Sequence, residues 1–407
     1  MRFARNLFQG LFWVFFVICI GGGLFWVNLN FARQAPGGTD FISPWRGIQN
    51  FAMSAASPYG EGTALDLQMV IYGRLAQPGE YPYRVDWPFH LLIFLLPFAS
   101  LRDLTLARAL WMLLLEVALL ATVLVSISAT RWRPRWPFLA LALLFSSFWM
   151  PAAISLLDGN AIILQTLCVV GAIRALEAQA DELAGALLVL ALLNLPATGM
   201  AVLLVIIWAF SAQRWRLLAG LVMSFVVLYG LSIVLFPAWI LPFLRSVLIN
   251  WRAEALPSTF ALFESWFPGI GSRLAQILAV AALAVIFWEW SAVRGKEVRW
   301  LSWTVSLTAA LSPLLGVQFM PAWLFFTLPG LLLAVLTMGQ RWGVFGLVSG
   351  SLVLTVFFLG LWAARLQNLT AIFLLVYPFS LALVLYWVRW AVIRSPRLWA
   401  DEISSRS

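Results

Sequence analysis

The sequence is poor in charged residues: Asp, Glu, Lys and Arg make up 11% of its 407 residues, whereas soluble globular proteins carry roughly 25%. Hydrophobic residues make up 63%, and the mean hydropathy is +0.93. Because no fold could hide so much apolar surface from water, the composition excludes a soluble protein. The apolar runs are continuous rather than alternating, which argues against a transmembrane β-barrel.

Lysine, histidine and cysteine are almost absent. Lys296 is the only lysine among 26 basic residues, so arginine supplies most of the net charge of +9. In a membrane protein this excess is typical of orientation by the positive-inside rule, and we expect no nucleic-acid partner. Cys19, Cys168 and the single histidine, His90, form no metal-binding spacing, and no disulfide framework is expected. The sequence therefore predicts neither a metal site nor another cofactor.

The apolar runs predict an all-α, polytopic transmembrane protein with one domain over 1–407. A spanning helix needs about 20 apolar residues. The stretch 183–211 is interrupted by Asn194, Pro196 and Gly199, and it is predicted to be a hairpin of two short helices. Together the candidates give about 10 to 12 membrane helices. The candidate spans are 7–29, 104–127, 137–155, 161–175, 217–236, 273–292, 301–316, 321–339, 343–363 and 370–392.

The basic residues predict the orientation in the cell (inner) membrane. If both termini are cytoplasmic, the arginine-rich loops all fall on one side. This requires 88–101, about 14 residues, to lie on the outer face rather than cross. The alternative lets it cross and puts Arg131, Arg133 and Arg135 outside. In the first interpretation two external regions result: a large first loop, 31–103, with helices near 43–56 and 64–76, and a second region, 237–271.

Four stretches in the first half of the chain resemble a known family. They are Asp40-Phe41 through Tyr59, Trp87-Pro88 through Pro97, Asp158-Gly159-Asn160 with the following helix, and the segment from Ala184 to Pro196. Their order resembles the GT-C superfamily of polytopic glycosyltransferases, and within it the GT87 family of polyprenyl-phosphate-mannose-dependent mannosyltransferases. The second half is similar only in hydropathy. The chain has Asp86-Trp87-Pro88 where the family usually has Tyr-Pro-Pro, and Asn194 where a lysine is common. An Asn-Gln-Ser signature is missing between Leu256 and Gly271.

The resemblance implies a GT-C-like fold and a sugar transfer on the outer face. The donor would be a polyprenyl-phosphate-linked sugar, mannose or another hexose or pentose, and the acceptor a lipid or glycan at the membrane. Asp40 would be the general base that takes the acceptor proton. Because the leaving phosphate is already stable as an anion, one base suffices, whereas glycoside hydrolases use a carboxylate pair. The alternative role for Asp40 is to cap a helix starting near Ile42 or Ser43.

Other polar residues are candidates for substrate binding. Arg46, Arg84, Arg245 and Arg252 lie in the external regions, where guanidinium forks bind phosphate oxygens; the alternative for each is a solvated charge or a headgroup contact. Asp158 is expected to orient the acceptor, although an ordinary exposed turn would also explain it. The remaining candidates are Tyr59, Asp86, His90, Asn160, Asn194 and Gln318.

Two other functions remain open from the sequence. Glu116 sits in the middle of a predicted span, where a carboxylate costs about 2.5 to 3.5 kcal/mol. It is expected to make an interhelical hydrogen bond or to belong to a proton or ion pathway, and the latter favours a transporter. Transporters usually contain repeated halves, and none is visible here. The missing family signatures favour a third interpretation, a non-catalytic GT-C-like subunit of a membrane complex.

Overall fold

The described residues of the chain form helices and connecting turns, without a β-strand. The computed structural model describes residues 2–35, 37–129, 136–193, 195–253, 256–294 and 298–393. Within these ranges the all-α prediction is confirmed.

Eighteen α-helices follow one another in the described ranges. Short 3-10 turns (Ile93–Leu95, Ala191–Leu193, Ser312–Leu315, Pro321–Thr327) and π turns (Leu195–Gly199, Ile372–Val376) interrupt them. The helices are α1 (Arg2–Gln34), α2 (Thr39–Ser54), α3 (Glu61–Tyr72), α4 (Phe89–Leu92), α5 (Leu96–Ala99), α6 (Leu104–Ala129), α7 (Trp136–Phe148), α8 (Met150–Asp158), α9 (Ile162–Glu177), α10 (Asp181–Leu190), α11 (Met200–Ser211), α12 (Trp215–Leu235), α13 (Ile240–Ala253), α14 (Thr259–Trp266), α15 (Gly271–Ala292), α16 (Val298–Leu311), α17 (Leu328–Leu366) and α18 (Tyr377–Ile393).

Several helices are long and apolar enough to cross a membrane, as in a multi-pass membrane protein. The described residues contain five such helical segments, or up to six if α7 and α8, bent by 56°, form one span. This is fewer than the predicted 10 to 12. Two predicted spans, 161–175 and 301–316, correspond to α9 and α16, helices of 16 and 14 residues that fall short of the usual spanning length. The five are Leu104–Ala129, Trp215–Leu235, Gly271–Ala292, Pro321–Leu366 and Ile372–Trp390.

The predicted helix breaks coincide with irregular backbone. Gly343 has φ of 56° and ψ of −129°, which interrupts α17 at the first residue of the predicted span 343–363. The stretch 183–211 consists, as predicted, of two short helices, α10 and α11, joined through irregular turns. Asn194, between those turns, lies outside the described residues.

The first loop contains the two predicted helices, and both begin a few residues earlier than the predicted 43 and 64. Helix α2 starts at Thr39 rather than near residue 43, and α3 starts at Glu61. The segment 88–101 folds as two single turns of α-helix, α4 and α5, joined by a 3-10 turn. At 11 residues, Phe89–Ala99 is too short to cross a bilayer as a helix. The location of this segment on the outer face of the membrane is still a prediction.

The chain divides into two compact units. Unit 1 comprises Met1–Val117, Leu156–Ala161 and Gly230–Glu254, and unit 2 comprises Ala118–Ser155, Ile162–Tyr229 and Ala255–Ser407. Within unit 1, α2 packs against α3 and against the segment 89–99. Gln49, which is buried on α2, donates from Nε2 to the Leu101 carbonyl at 3.0 Å.

Unit 2 contains a close helix crossing and a buried ion pair. A Cβ on Gly185 would lie 2.2 Å from the Leu217 carbonyl oxygen, and one on Gly220 would lie 2.3 Å from that of Glu182. The absence of side chains at both positions lets α10 and α12 touch through their backbones, as small residues do in membrane helices.

Glu289 on α15 is buried and forms an ion pair with Arg389 on α18. The Tyr386 hydroxyl donates a hydrogen bond to Glu289 Oε1 at 3.0 Å.

Candidate functional site

Asp40 lies in the first turn of α2. Gly38 occupies the N-cap position with φ of 82°, and no side chain caps the helix there. The alternative that Asp40 is the cap of a later helix is therefore wrong. A Cβ on Gly38 would lie 2.6 Å from the Arg108 Nε atom, so both the backbone angle and the space require glycine. In the first turn, the carboxylate of Asp40 is stabilised by the positive end of the helix dipole.

Asn160 binds the Asp40 carboxylate directly. Its Nδ2 donates to Asp40 Oδ2 at 2.7 Å, although the two residues are 120 positions apart. The chain reaches this position because Gly159 adopts a left-handed φ of 73° at the end of α8, and the Trp111 indole holds the Gly159 carbonyl at 2.8 Å. Asp158 is the last residue of α8. The structure thus brings three predicted site residues, Asp40, Asp158 and Asn160, into one region of unit 1.

A buried aromatic cluster supports the Asp40 turn. Phe41 is fully buried and stacks on Trp111 with ring centroids 5.3 Å apart, while the Phe98 ring meets it edge-on at 6.3 Å. The Trp45 indole donates to the Phe98 carbonyl at 2.9 Å. Because each ring is held by stacking or by a hydrogen bond, the backbone that presents Asp40 has little freedom to shift.

Arg108 joins the two segments that carry the acids. Its Nη1 donates to the Ala35 carbonyl at 2.8 Å and its Nη2 to the Leu157 carbonyl at 3.0 Å. The side chain is 4% exposed and lies in electrostatic range of Asp158. The sequence reasoning missed Arg108. An arginine in the first turns of a long apolar run is the feature that could have indicated it.

Tyr83 is a second residue that the sequence reasoning missed. It has a left-handed φ of 44°, which is unusual for a bulky residue. Its ring packs edge-on against Tyr72 and Tyr81, with centroids 5.2 and 4.8 Å away. Burial raises the pKa of Tyr83 to about 12; Tyr72 and the charges of Asp40 and Asp158 also contribute. The phenol therefore stays protonated at neutral pH, within electrostatic range of the region that contains Asp40, Asp158 and Asn160, here called the acidic region.

Two of the predicted phosphate-binding arginines are engaged by carboxylates. Arg46 binds Asp66 with two nitrogens, at 2.6 and 3.1 Å, and donates to Gln49 Oε1 at 2.6 Å. Arg84 forms an ion pair with Glu61. The Arg46 hydrogen bonds lower the pKa of Asp66, so that pair is fully charged at neutral pH. Neither guanidinium presents an uncompensated positive charge.

Tyr59 contacts the 84–87 segment, which contains Asp86. The Tyr59 hydroxyl is used structurally, because it donates to the Trp87 carbonyl at 2.7 Å. Burial, and then the charge of Asp86, raise the pKa of Tyr59. Asp86 is accessible to solvent. Desolvation by the neighbouring protein atoms raises the pKa of Asp86 to about 6, although a hydrogen bond with Asn250 opposes this shift.

Helix α13 presents two faces with different roles. Asn250 on the buried face accepts from the Arg84 amide at 3.2 Å and donates to the Arg84 carbonyl at 2.7 Å. Arg245 and Arg252 are exposed, and neither makes an ion pair within the described part of the chain.

Gln318 belongs to unit 2, in the segment between the Ser312–Leu315 and Pro321–Thr327 turns.

Acidification should destabilise the protein through His90. Its ring is partly buried edge-on to Trp239 at 5.8 Å, and burial lowers its pKa to about 4. The free energy of unfolding includes the full contribution of the neutral His90 ring above pH 6.5, the ordinary pKa of histidine in the unfolded chain. This contribution is lost as the pH falls from 6.5 towards the folded-state pKa of about 4. Between pH 7 and pH 5 this loss is at most about 2 kcal/mol. In detergent, His90→Gln should therefore lose fewer degrees of melting temperature than the wild type over this interval.

Asp86 supplies a control of opposite sign for that measurement. Because its folded-state pKa is raised, the folded protein takes up a proton between pH 7 and 5 and gains stability. The Asp86→Asn variant should consequently lose more melting temperature than the wild type. Equal losses in all three proteins would contradict the assignment of both groups.

Glu116 makes the interhelical hydrogen bond that was one of its two predicted roles. Asn28 on α1 donates from Nδ2 to Glu116 Oε2 on α6 at 3.1 Å. The contact gives the carboxylate a polar partner inside unit 1 and accounts for its presence in an apolar helix.

The described residues contain no group of three or more His, Cys, Asp and Glu side chains arranged to hold a metal ion. Comparison with models of known protein families, with curated proteins and with solved structures finds no match for this chain.

Proposed function

We propose that this protein is a GT-C-like membrane glycosyltransferase. It would transfer a sugar, mannose or another hexose or pentose, from a polyprenyl-phosphate donor to a lipid or glycan acceptor on the outer face of the membrane. The observation that carries the proposal is the hydrogen bond of 2.7 Å between Asn160 and Asp40, which joins two of the stretches that carry the family resemblance.

Asp40 takes the role of general base in this reaction. A base needs a partner that fixes its orientation, and Asn160 supplies one on Oδ2. The positive end of helix α2 favours negative charge at this position, and the carboxylate would accept the proton of the acceptor hydroxyl. Asp158 and the Tyr83 phenol lie in the same region, where they would orient hydroxyl groups of the substrates.

The donor phosphate is assigned to Arg245 and Arg252 rather than to Arg46 and Arg84. The latter two are neutralised by Asp66 and Glu61. Arg245 and Arg252 are seven positions apart, about two helical turns, so they share one exposed face of α13. Leu241, Leu244, Leu248 and Trp251 are exposed on the same helix. Arginines beside apolar side chains suit a phosphate carried on an isoprenoid at the membrane interface.

The proposal is tested by direct transfer. Membranes containing the overproduced protein are given a radiolabelled polyprenyl-phosphate sugar, and labelled lipid or glycan products are separated by chromatography. We expect product only in membranes that contain the protein. Equal product in membranes without it, across a panel of donor sugars, would remove the assignment.

A transporter is the rival that Glu116 can test. Because Glu116 is satisfied by Asn28 at 3.1 Å, Glu116→Gln should keep the hydrogen bond and leave sugar transfer within about twofold of the wild type. A proton pathway through this carboxylate would instead be blocked by the glutamine. Uptake by proteoliposomes that depends on a proton gradient and disappears in Glu116→Gln would favour transport over transfer.

A non-catalytic subunit is the second candidate, and one observation favours it. Two of the four external arginines expected to bind the donor phosphate are paired with carboxylates instead. Purification of the protein solely within a larger complex, without transfer activity, would support this candidate over the enzyme.

A further inference from the structure

A cavity of about 340 Å³ opens between helices α2 and α3 and the turn that joins them. Its volume is near the lower end of the range for small-ligand sites. Asp40, Asp158 and Asn160 are not among its lining residues, so it is distinct from the acidic region. The side chains and backbone that line it include Arg46, Asn50, Ser57, Gly62, Thr63 and Asp66.

The charges in the cavity cancel. Two nitrogens of Arg46 donate hydrogen bonds to Asp66, at 2.6 and 3.1 Å, and Asn50 donates from Nδ2 to Asp66 Oδ2 at 3.0 Å. A phosphate would meet a guanidinium already neutralised by a carboxylate, and a cation would meet a carboxylate already neutralised by a guanidinium. An uncharged polar ligand can bind without competing for either charge, because it leaves the ion pair between Arg46 and Asp66 intact.

The same residues keep unused hydrogen-bonding capacity. Arg46 has more N–H groups than its bonds to Asp66 and Gln49 consume. The Thr63 hydroxyl donates to the Ser57 carbonyl and can still accept a hydrogen bond. The lining residues therefore offer both donors and acceptors, and a ligand with several hydroxyl groups can use both.

Gly62 on α3 lines the cavity without a side chain and is exposed. A Cβ added there would have no atom within 4 Å, and Gly62 has no left-handed φ. A larger side chain at this position is therefore expected to obstruct the cavity without straining the helix.

We propose that this cavity binds a neutral, hydroxyl-rich saccharide unit. Its identification as part of the glycan acceptor rests on the proposed sugar transfer, whereas the binding itself does not. The cavity would hold a sugar ring of the acceptor while Asp40 acts on a hydroxyl elsewhere in the same molecule.

The test measures binding without a donor. Purified protein in nanodiscs is titrated with mannotriose, maltotriose and cellotriose, with glucose 6-phosphate as the anionic comparison, using saturation-transfer NMR. We expect at least one neutral trisaccharide to bind more tightly than the phosphosugar. Gly62→Phe should raise the Kd of that trisaccharide at least tenfold. The matched control is Gly230→Phe, at a helical glycine with equally open surroundings, and it should leave the Kd unchanged.

Three results would overturn the proposal: no trisaccharide binds, the phosphosugar binds more tightly, or Gly62→Phe leaves the Kd unchanged. The Asp40→Asn variant separates this proposal from the proposed function, because it should lower the rate of transfer by about 100-fold or more and leave trisaccharide binding intact. If binding occurs but the wild type shows no transfer, the saccharide site stands and the enzymatic assignment falls.

Discussion

Replacing Asp40 with Asn should lower the turnover rate of sugar transfer by about 100- to 10,000-fold, the usual contribution of a general base. Asparagine keeps the shape of the side chain and can still accept the hydrogen bond from Asn160, which is 2.7 Å long in the wild type. It cannot take a proton from the acceptor hydroxyl. We therefore expect kcat to fall while the KM for the donor and the melting temperature change little.

Asp103→Asn is the matched control for this experiment. Asp103 carries the same functional group in the same unit, but it binds the Thr105 amide and hydroxyl at the start of α6, at 2.8 and 2.7 Å. Asparagine is an equally good residue at such a position, so this variant should retain full activity. If Asp40→Asn transfers sugar at the same rate as Asp103→Asn, Asp40 is not the base.

Gly159→Ala should destabilise the protein by about 2 to 4 kcal/mol and also impair transfer. Alanine at the left-handed φ of 73° costs about 1 kcal/mol. Its Cβ would lie 2.7 Å from Phe41 Cβ and 3.3 Å from the Trp111 ring, and such overpacking adds about 1 to 3 kcal/mol. Relief of these contacts displaces Phe41, the neighbour of Asp40. Thermal unfolding and the transfer assay measure the two effects.

Gly73→Ala separates backbone strain from crowding. Gly73 ends α3 with a similar φ of 71°, but a Cβ there would have no atom within 4 Å. This variant should lose only about 1 kcal/mol and keep its transfer activity. Equal destabilisation in the two variants would mean that the contact with Phe41 is unimportant.

The helical nature of the chain and most helix breaks were predictable from the sequence because they depend on local properties. Continuous apolar runs cannot stay in water, and their backbone polar groups must be satisfied within each segment, which leaves helices. The break at Gly343 lies beside a boundary that Arg341 predicted, and glycine tolerates the φ of 56° found there. The described residues contain five helical segments long and apolar enough to span a membrane, compared with the 10 to 12 predicted for the whole chain. Hydropathy does not reveal where a helix ends: α16 has 14 residues, and a 3-10 turn, Ser312–Leu315, follows it within the same apolar stretch.

The candidate site was predicted only in part. The sequence singled out Asp40, Asp158 and Asn160, and the hydrogen bond of 2.7 Å joins two of them. It did not indicate Arg108 or Tyr83, and it assigned Arg46 and Arg84 to a phosphate. The pairing of these arginines with Asp66 and Glu61 links positions 20 and 23 residues apart. No local pattern encodes such a pairing, because it depends on which helices lie side by side.

Composition and hydropathy thus sufficed to indicate a helical membrane protein. The removal of apolar surface from water is the dominant favourable contribution to folding, and each residue's share of it can be read from the sequence. The environment of Asp40 required the folded chain. Two glycines in left-handed conformations, Gly38 and Gly159, and an arginine binding two carbonyls bring together segments 120 residues apart. Contacts of that kind exist only once distant segments have packed, so their chemistry follows from the packing and not from the order of the residues.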